Sequence, residues 1–292
     1  MKTFFRFLLL IITSLIYSGV FAQELKSYQV YDKDREPIDF AEWMSELSNY
    51  DVVLFGEHHN NSIIHWLQLK TTEALYEKVG DKLILGAEMF ERDNQKILDR
   101  YLKNEIDSKE LAKEARLWPN FATDYKPLLD FSKANGLPFI AANIPRRYAS
   151  LVAKNGLDTL RKFPRKEARY MAKMPIKVDT LTPGYSEMLK MMGEHVPSNP
   201  MDFVAAQAVK DATMAESIRK ASNRRHLFLH FNGDYHSKEY GGIYWYLANR
   251  KKRWKIAVIS IAEASDKELS LPEDFVPTEF NLVVPEDMTK TY

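Results

Sequence analysis

Acidic and imidazole side chains in three separate stretches of the sequence could form one reactive centre. Glu57 and His59 follow one apolar run, Glu88 ends a second, and His236 lies in a turn after another. Carboxylates and imidazoles are the groups that transfer protons or bind metal ions, and when buried they must be paired or functional. An alternative for each residue is a structural role, as a helix cap, a surface histidine or a member of an ion pair.

The elements that must position these side chains are strands. Apolar runs of strand length predict buried strands over residues 51–55, 82–88, 137–143, 226–231, 255–261 and 280–284. Gly56 lies where the first strand turns sharply into a helix, and a residue without a Cβ suits that turn. Ligands bind at the carboxyl ends of strands in open α/β sheets, so we expect the four candidate side chains to meet at that edge.

Strands and helices alternate along most of the chain. Helical spacing of apolar residues predicts helices over 62–79 and 202–221. This alternation predicts an α/β fold with a central, mostly parallel sheet and helices on both faces. Residues 145–225 form a helical insertion that could fold as a cap over the site.

The insertion contains two features that could contact a ligand. Arg146 and Arg147 follow a predicted strand and could hold a carboxylate by a two-pronged contact, or could form an ion pair at a helix start. The segment 174–200 combines methionine and tyrosine with proline and glycine, which suggests a mobile lid with a soft apolar face. Such a face suits a flat hydrophobic ligand, although the methionines could equally fill the core.

Composition sets limits on the class of protein. The chain has 292 residues, 45% of them hydrophobic, and a formal net charge of +1, which gives no general attraction for nucleic acid. It contains no cysteine, so a disulfide, a thiolate metal site and a cysteine nucleophile are excluded. A lipoprotein anchor at a cysteine is excluded for the same reason.

The first 22 residues are typical of a secretory signal peptide. Lys2 and Arg6 precede the apolar run 7–17, and small residues lead to Ala22. We expect cleavage near Ala22 and export to the periplasm, where the protein could associate with the outer membrane. Residues 23–292 are then expected to form a single α/β domain.

Six blocks of residues, in order along the chain, resemble the ChaN-like haem-binding uptake family of the Tiki and erythromycin-esterase superfamily. The resemblance covers roughly residues 40–265 and implies an α/β fold with a helical cap. The blocks are 54–59 with His65 and Gln68, 86–91 with Gln95, 118–119, 141–146, 205–207 with Asp211 and Met214, and 232–236 with 241–242.

The resemblance implies an exported protein that binds haem for iron or haem uptake, often as a homodimer that forms on haem binding. It implies an iron held by tyrosine with histidine nearby, for which Tyr185 and His195 are the matching positions, and Arg146 and Arg147 would hold the propionates. An outer-membrane haem receptor is a possible partner. The chain departs from the family at Asp234, where relatives often have a smaller residue, and in having no lipoprotein cysteine.

The related hydrolases imply a different use of the same strand ends. In that alternative Glu57, His59, Glu88 and His236 form a catalytic centre, and His59, Glu88 and His236 could bind a divalent metal ion. A third hypothesis is a protein without catalysis, in which the four residues form a buried polar network that holds the sheet edge together.

Overall fold

An eight-stranded sheet forms the centre of the fold. The computed structural model describes residues 25–192, 199–222, 225–249 and 254–291. The predicted signal peptide therefore lies outside the described residues. The strands are β1 Gln29–Asp32, β2 Pro37–Ile38, β3 Val52–Glu57, β4 Leu83–Glu91, β5 Phe139–Asn143, β6 Leu227–Gly233, β7 Ile256–Ala264 and β8 Phe280–Pro285.

The strand order is β2-β1-β8-β7-β3-β6-β4-β5. Strands β3 to β8 pair with one another in parallel, and β1 pairs antiparallel with both β2 and β8. Every residue of β3 and β6 is buried, as expected for parallel strands covered on both faces. The predicted α/β fold with a mostly parallel sheet is confirmed.

Ten α-helices connect and cover the described strands. They are α1 Phe40–Leu47, α2 Ser62–Val79, α3 Gln95–Leu102, α4 Ser108–Glu114, α5 Lys126–Asn135, α6 Arg146–Asn155, α7 Arg165–Ala168, α8 Pro183–Met192, α9 Pro200–Ala221 and α10 Gly242–Ala248. Helix α2 begins where the sequence predicts, because the Asn61 side chain accepts hydrogen bonds from the backbone N–H groups of Ile63 and Ile64. No helix in the described ranges is both long enough and apolar enough to cross a bilayer.

Two hydrophobic cores lie on opposite faces of the sheet. One contains Trp43, Leu67 and Leu129, and the other contains Val152 and Ile218. Helix α9 packs on β5, α6 and α10 and so forms part of the layer on the second face. The insertion between β5 and β6 is helical, as predicted. Its longest helix, α9, covers the sheet, and the first half of α9 also borders the candidate site.

The outer edge of the sheet at β5 is occupied by a side chain. The Gln95 amide donates to the carbonyl of Phe139 at 2.9 Å and accepts from the backbone N–H of Ala141 at 2.7 Å. It therefore occupies backbone groups that a ninth strand would use.

Candidate functional site

A cleft of about 730 Å³ opens at the carboxyl ends of the central strands. Its lining includes Glu57 from the end of β3, His59 from the following turn, Glu88 from β4 and His236 from the turn after β6. The structure thus brings the four candidate residues together at one sheet edge. Strand β6 lies between the two strands that carry the glutamates.

Glu57 is the centre of a first polar network. One carboxylate oxygen accepts hydrogen bonds from Tyr125 at 2.7 Å and from Nδ1 of His59 at 2.8 Å. The other oxygen accepts from the Gln68 amide at 2.7 Å. His65 lies beside it and bonds to Gln68 and to the backbone carbonyl of His59. The carboxylate is 2% exposed, so these donors replace the water that it lacks.

These contacts set the charges of the first network. Burial raises the pKa of Glu57, but the hydrogen bond from His59 and the neighbouring imidazoles outweigh it and hold that pKa below its ordinary value. Burial lowers the pKa of His59, but its hydrogen bond to Glu57 and the charges of Glu57 and Glu88 raise it overall. Since Nδ1 of His59 is engaged by Glu57, Nε2 is the ring nitrogen left to accept a proton or bind a metal ion.

A second network runs inward from Glu88. His236 donates from Nε2 to Glu88 at 3.0 Å and from Nδ1 to Asp211. Asp211 also accepts from the Tyr185 hydroxyl at 2.6 Å. The other oxygen of Glu88 accepts from the backbone N–H of Gly233 at 2.8 Å. The four side chains of this hydrogen-bonded network are buried: Glu88, His236, Asp211 and Tyr185.

The second network holds an imidazolium between two carboxylates. Burial lowers the pKa of His236, but the charges of Glu88 and Asp211 outweigh it and raise that pKa to about 10. Burial likewise raises the pKa of Glu88, and the charge of His236 overcomes this and lowers it well below its ordinary value. Because both ring nitrogens of His236 bind carboxylates, neither has a lone pair free for a metal ion.

Gly233 separates the two networks. A Cβ built on this residue would lie 2.9 Å from Nε2 of His59 and 3.5 Å from a carboxylate oxygen of Glu88. The His59 ring therefore packs against the backbone of Gly233, and no side chain fits between the two. This close approach is the reason that glycine is needed here.

Larger side chains form the open walls of the cleft. Trp118 packs edge-to-face on the His59 ring at 4.8 Å between centroids. Tyr235 is 46% exposed and its hydroxyl donates to Glu187 of α8 at 3.2 Å. Lys238 lies 3.8 Å from the centre of the Tyr235 ring. The remaining cationic lining residue is Lys210 of α9.

The comparisons with known proteins decide the family. Residues 43–247 match the family described as haem-binding uptake, Tiki superfamily, ChaN. The chain belongs to this family.

The ChaN-family fold is also seen in a solved structure. ChaN of Campylobacter jejuni, a structure with cofacially bound haem, is 19% identical, has a TM-score of 0.67, and the match covers 89% of this chain and 97% of that one. The erythromycin esterase EreC is 14% identical with a TM-score of 0.46, over 89% of this chain and 83% of that one. That second likeness is too small to carry information on function.

A plant protein matches part of this ChaN-family chain. Protein RETICULATA-RELATED 5 of Arabidopsis thaliana is 29% identical over 145 residues, which is 48% of this chain and 20% of that protein. The chain therefore spans about a fifth of the relative's length.

Several residues predicted to hold haem lie away from the cleft lining. Tyr185 is 2% exposed, and its hydroxyl is used by Asp211. Arg147 pairs with Asp93, and neither it nor Arg146 lines the cleft. His195 lies outside the described residues. The haem contacts of these four residues remain predictions, and the burial of Tyr185 does not support its role as an iron ligand.

The alternative metal site also lacks support. Among the described residues, no group of three or more histidine, aspartate or glutamate side chains is arranged to hold a metal ion. His59, Glu88 and His236 do line one cleft, but His236 is occupied by its two carboxylate partners. These three residues therefore fit a hydrogen-bonded network better than a metal site.

The sequence interpretation gave no role to Asp211 or Tyr235. Asp211 lies on the apolar stripe of α9 among alanines, and an acid at such a position signals a buried partner. Tyr235 is next to His236, but its exposure follows from the tight turn after β6, a feature that the sequence pattern does not show.

Proposed function

We propose that this protein binds haem in the cleft at the carboxyl edge of the sheet and acts in haem or iron uptake. The observation that carries the proposal is the family match over residues 43–247. The cleft supplies the second support, because its volume falls in the range of about 300–1,000 Å³ that is usual for small-molecule sites.

The cleft has the side chains that a porphyrin requires. Trp118, Tyr235 and Phe275 give it apolar and aromatic walls, and Val276 is 50% exposed beside them. Such surfaces bind a flat apolar ring by burial of area. Lys210 and Lys238 are the lysines in the described lining; Lys238 is paired with Glu187 at 2.8 Å, and Lys210 could pair with a propionate.

Two side chains are suited to hold the iron. Tyr235 is the exposed tyrosine in the described lining, and Lys238 lies over the face of its ring. His59 presents Nε2, and Glu57 fixes the opposite ring nitrogen, which is the usual support of a metal-binding histidine. We propose Tyr235 as the iron ligand and His59 as its neighbour. Bound haem would supply the iron that the protein carries.

Haemin titration of the purified mature protein tests the proposal. We expect a saturable shift of the Soret band, and a loss of affinity of about tenfold or more in Tyr235→Phe. Tyr28→Phe changes a half-buried tyrosine that does not line the cleft and is the matched control. No Soret shift at micromolar haemin, or equal binding by Tyr235→Phe and the wild type, would reject haem binding at this cleft.

The transport role includes export and assembly. We propose cleavage near Ala22, residence in the periplasm or at the outer membrane, a homodimer that forms on haem binding, and delivery to or from an outer-membrane haem receptor. Amino-terminal sequencing of protein from fractionated cells tests export, and sedimentation with and without haemin tests the dimer. A chain retained in the cytoplasm with Met1 intact contradicts the first part.

A hydrolase is the second candidate function, favoured by the pairing of Glu57 with His59. A buried carboxylate that orients an imidazole towards a cleft is the arrangement of a general base. Under this hypothesis Glu88 and His236 form the supporting wall of the catalytic centre. An esterase and peptidase panel with Glu57→Gln tests it, and activity that survives this change rejects it.

A further inference from the structure

Positive charge is concentrated in one segment of the chain. Residues 146–177 contain ten lysine and arginine side chains and two acidic ones, Asp158 and Glu167. All ten basic residues are exposed, and none of them lines the cleft. Since the whole chain has a formal net charge of only +1, the rest of it is negative on balance.

Two adjacent grooves lie along this segment, with volumes of about 260 Å³ and 490 Å³. Both are lined by Ala172, Lys173, Glu216 and Arg219, so they are continuous. Part of the lining of the first groove is apolar, and it is formed by Pro175, Ile176, Ala212, Ala215, Trp245, Tyr246 and Leu247. The second adds Leu160, Phe163 and Met171.

The rim of the joined grooves is cationic. Lys173, Lys177 and Arg219 line the first groove, and Arg161 and Lys220 line the second. Among the described lining residues Glu216 is the one acid.

Acidic side chains pair with four of the five rim cations. Lys220 and Arg219 lie 2.7 Å and 4.0 Å from Glu216, Lys177 lies 3.2 Å from Asp179, and Arg161 lies 2.8 Å from Asp158. Glu216 also binds the Arg92 guanidinium at 3.2 Å and the backbone N–H of Lys173 at 3.0 Å. No carboxylate in the described part of the chain forms an ion pair with the Lys173 ammonium. Lys173, which lines both grooves, is thus the rim cation without an acidic partner among the described residues, and it lies beside the apolar part of the lining.

We propose that the joined grooves bind a single-chain fatty acid. The acyl chain lies on the apolar part of the lining, where its burial provides the non-directional part of the affinity. The carboxylate lies between Lys173 and Arg219, and a guanidinium matches a carboxylate well. The positive rim selects against neutral and cationic amphiphiles of the same length. This site is separate from the proposed haem cleft, and none of the described residues lines both.

Calorimetric titration of the full mature protein with dodecanoate, below its micelle-forming concentration, tests the proposal. We expect saturable one-to-one binding, and binding of dodecyltrimethylammonium that is at least about tenfold weaker. The fluorescence of Trp245 should change on binding, and Trp245→Phe should lose most of that signal while the heat remains. Equal affinity for the two amphiphiles, or no saturable heat, overturns the site.

Charge reversal locates the carboxylate. The double variant Lys173→Glu/Arg219→Glu should bind dodecanoate about tenfold more weakly, because each exposed ion pair adds little and the two act together. Lys154→Glu/Lys162→Glu makes the same change in net charge on exposed residues outside the grooves and should bind as the wild type.

Two further outcomes reject the fatty-acid site. Equal losses in both double variants indicate general electrostatic attraction. Binding to vesicles of anionic phospholipid without binding to monomeric dodecanoate indicates a membrane-facing surface in place of a groove. Haemin titration of Lys173→Glu/Arg219→Glu should match the wild type, so failure of this proposal is distinguishable from failure of haem binding.

Discussion

The two polar networks beside Gly233 use the same residue types in opposite ways. The network of Glu57 satisfies one buried carboxylate with donors from three side chains and leaves the His59 ring 35% exposed. The network of Glu88 buries an imidazolium between two carboxylates, and its histidine is 6% exposed. Exposure of the histidine is the difference that separates a ligand-facing group from a structural one.

The difference has a physical basis in solvation. A network of buried ions stabilises the fold only while every ion is present, because removal of one leaves an uncompensated buried charge. A carboxylate with three neutral or half-exposed donors can lose one and keep the others. The second network therefore governs stability, and the first can be altered for binding or catalysis.

Removal of the central histidine should have the largest effect. We expect His236→Ala to lower the free energy of unfolding by about 3–5 kcal/mol, since Glu88 and Asp211 would remain buried and unpaired. Urea denaturation at pH 7 measures this. His59→Ala, the matched histidine of the first network, is the control, and equal losses in the two variants would contradict the division of roles.

The stability of the wild type should fall in alkali. The pKa of His236 is about 10 in the folded protein, against about 6.5 in an unfolded chain, so its stabilisation is complete below about pH 6.5 and is lost as the pH rises towards 10. Burial raises the pKa of Asp234 to about 7, so the loss of stability due to Asp234 falls between about pH 4 and pH 7, below the range in which the His236 stabilisation is lost. We expect a decrease of about 2–4 kcal/mol between pH 7 and 10.

Urea midpoints across this pH range measure the alkaline loss. Asp234→Asn should leave the slope between pH 7 and 10 almost unchanged, because that slope is due to His236. A midpoint that is constant from pH 7 to 10 would show that His236 is not held as an imidazolium.

A smaller effect is expected at the inner end of the second network. Tyr185→Phe removes the hydroxyl that donates to Asp211, which His236 still neutralises. We expect a loss of about 1–2 kcal/mol in the free energy of unfolding. Chemical denaturation measures it, and Tyr28→Phe is the control. If Tyr185 instead held the iron, this change would abolish the Soret shift with haemin.

The smallest loss of stability is expected at the ligand-facing histidine. His59→Ala leaves Glu57 with its bonds to Tyr125 and Gln68, so we expect less than about 1 kcal/mol. Haem affinity or hydrolytic activity should fall much more than stability does. If the variant unfolds, or binds haemin as the wild type does, the proposed role of His59 in binding the ligand is rejected.

The sequence predicts the fold better than it predicts the site. Continuous apolar runs identify the six parallel strands because such strands are buried on both faces. The strand order is not predicted, since an apolar run does not indicate which strand lies beside it, and only the structure shows β6 between the two glutamate-bearing strands. Convergence of Glu57, His59, Glu88 and His236 follows from their places after strands.

Residues contributed by helices were harder to predict. Asp211 and Tyr185 meet through the packing of α8 on α9, and no local pattern gives that crossing. Tyr185 was matched to a family position only because it lies in the segment after β5, and it is buried. Tyr235 is the tyrosine that lies in the wall of the cleft. The turn that exposes Tyr235 is fixed by contacts made after β6 rather than by residue type.

The side chain of Gln95 has a consequence for assembly. Its amide occupies the backbone carbonyl of Phe139 and the N–H of Ala141 at one outer strand. A second copy of the chain cannot lengthen the sheet at these two residues without displacing that glutamine. Pairing of protomers at this margin must then involve side-chain surfaces, and Gln95→Ala is the change that would open it to unwanted association.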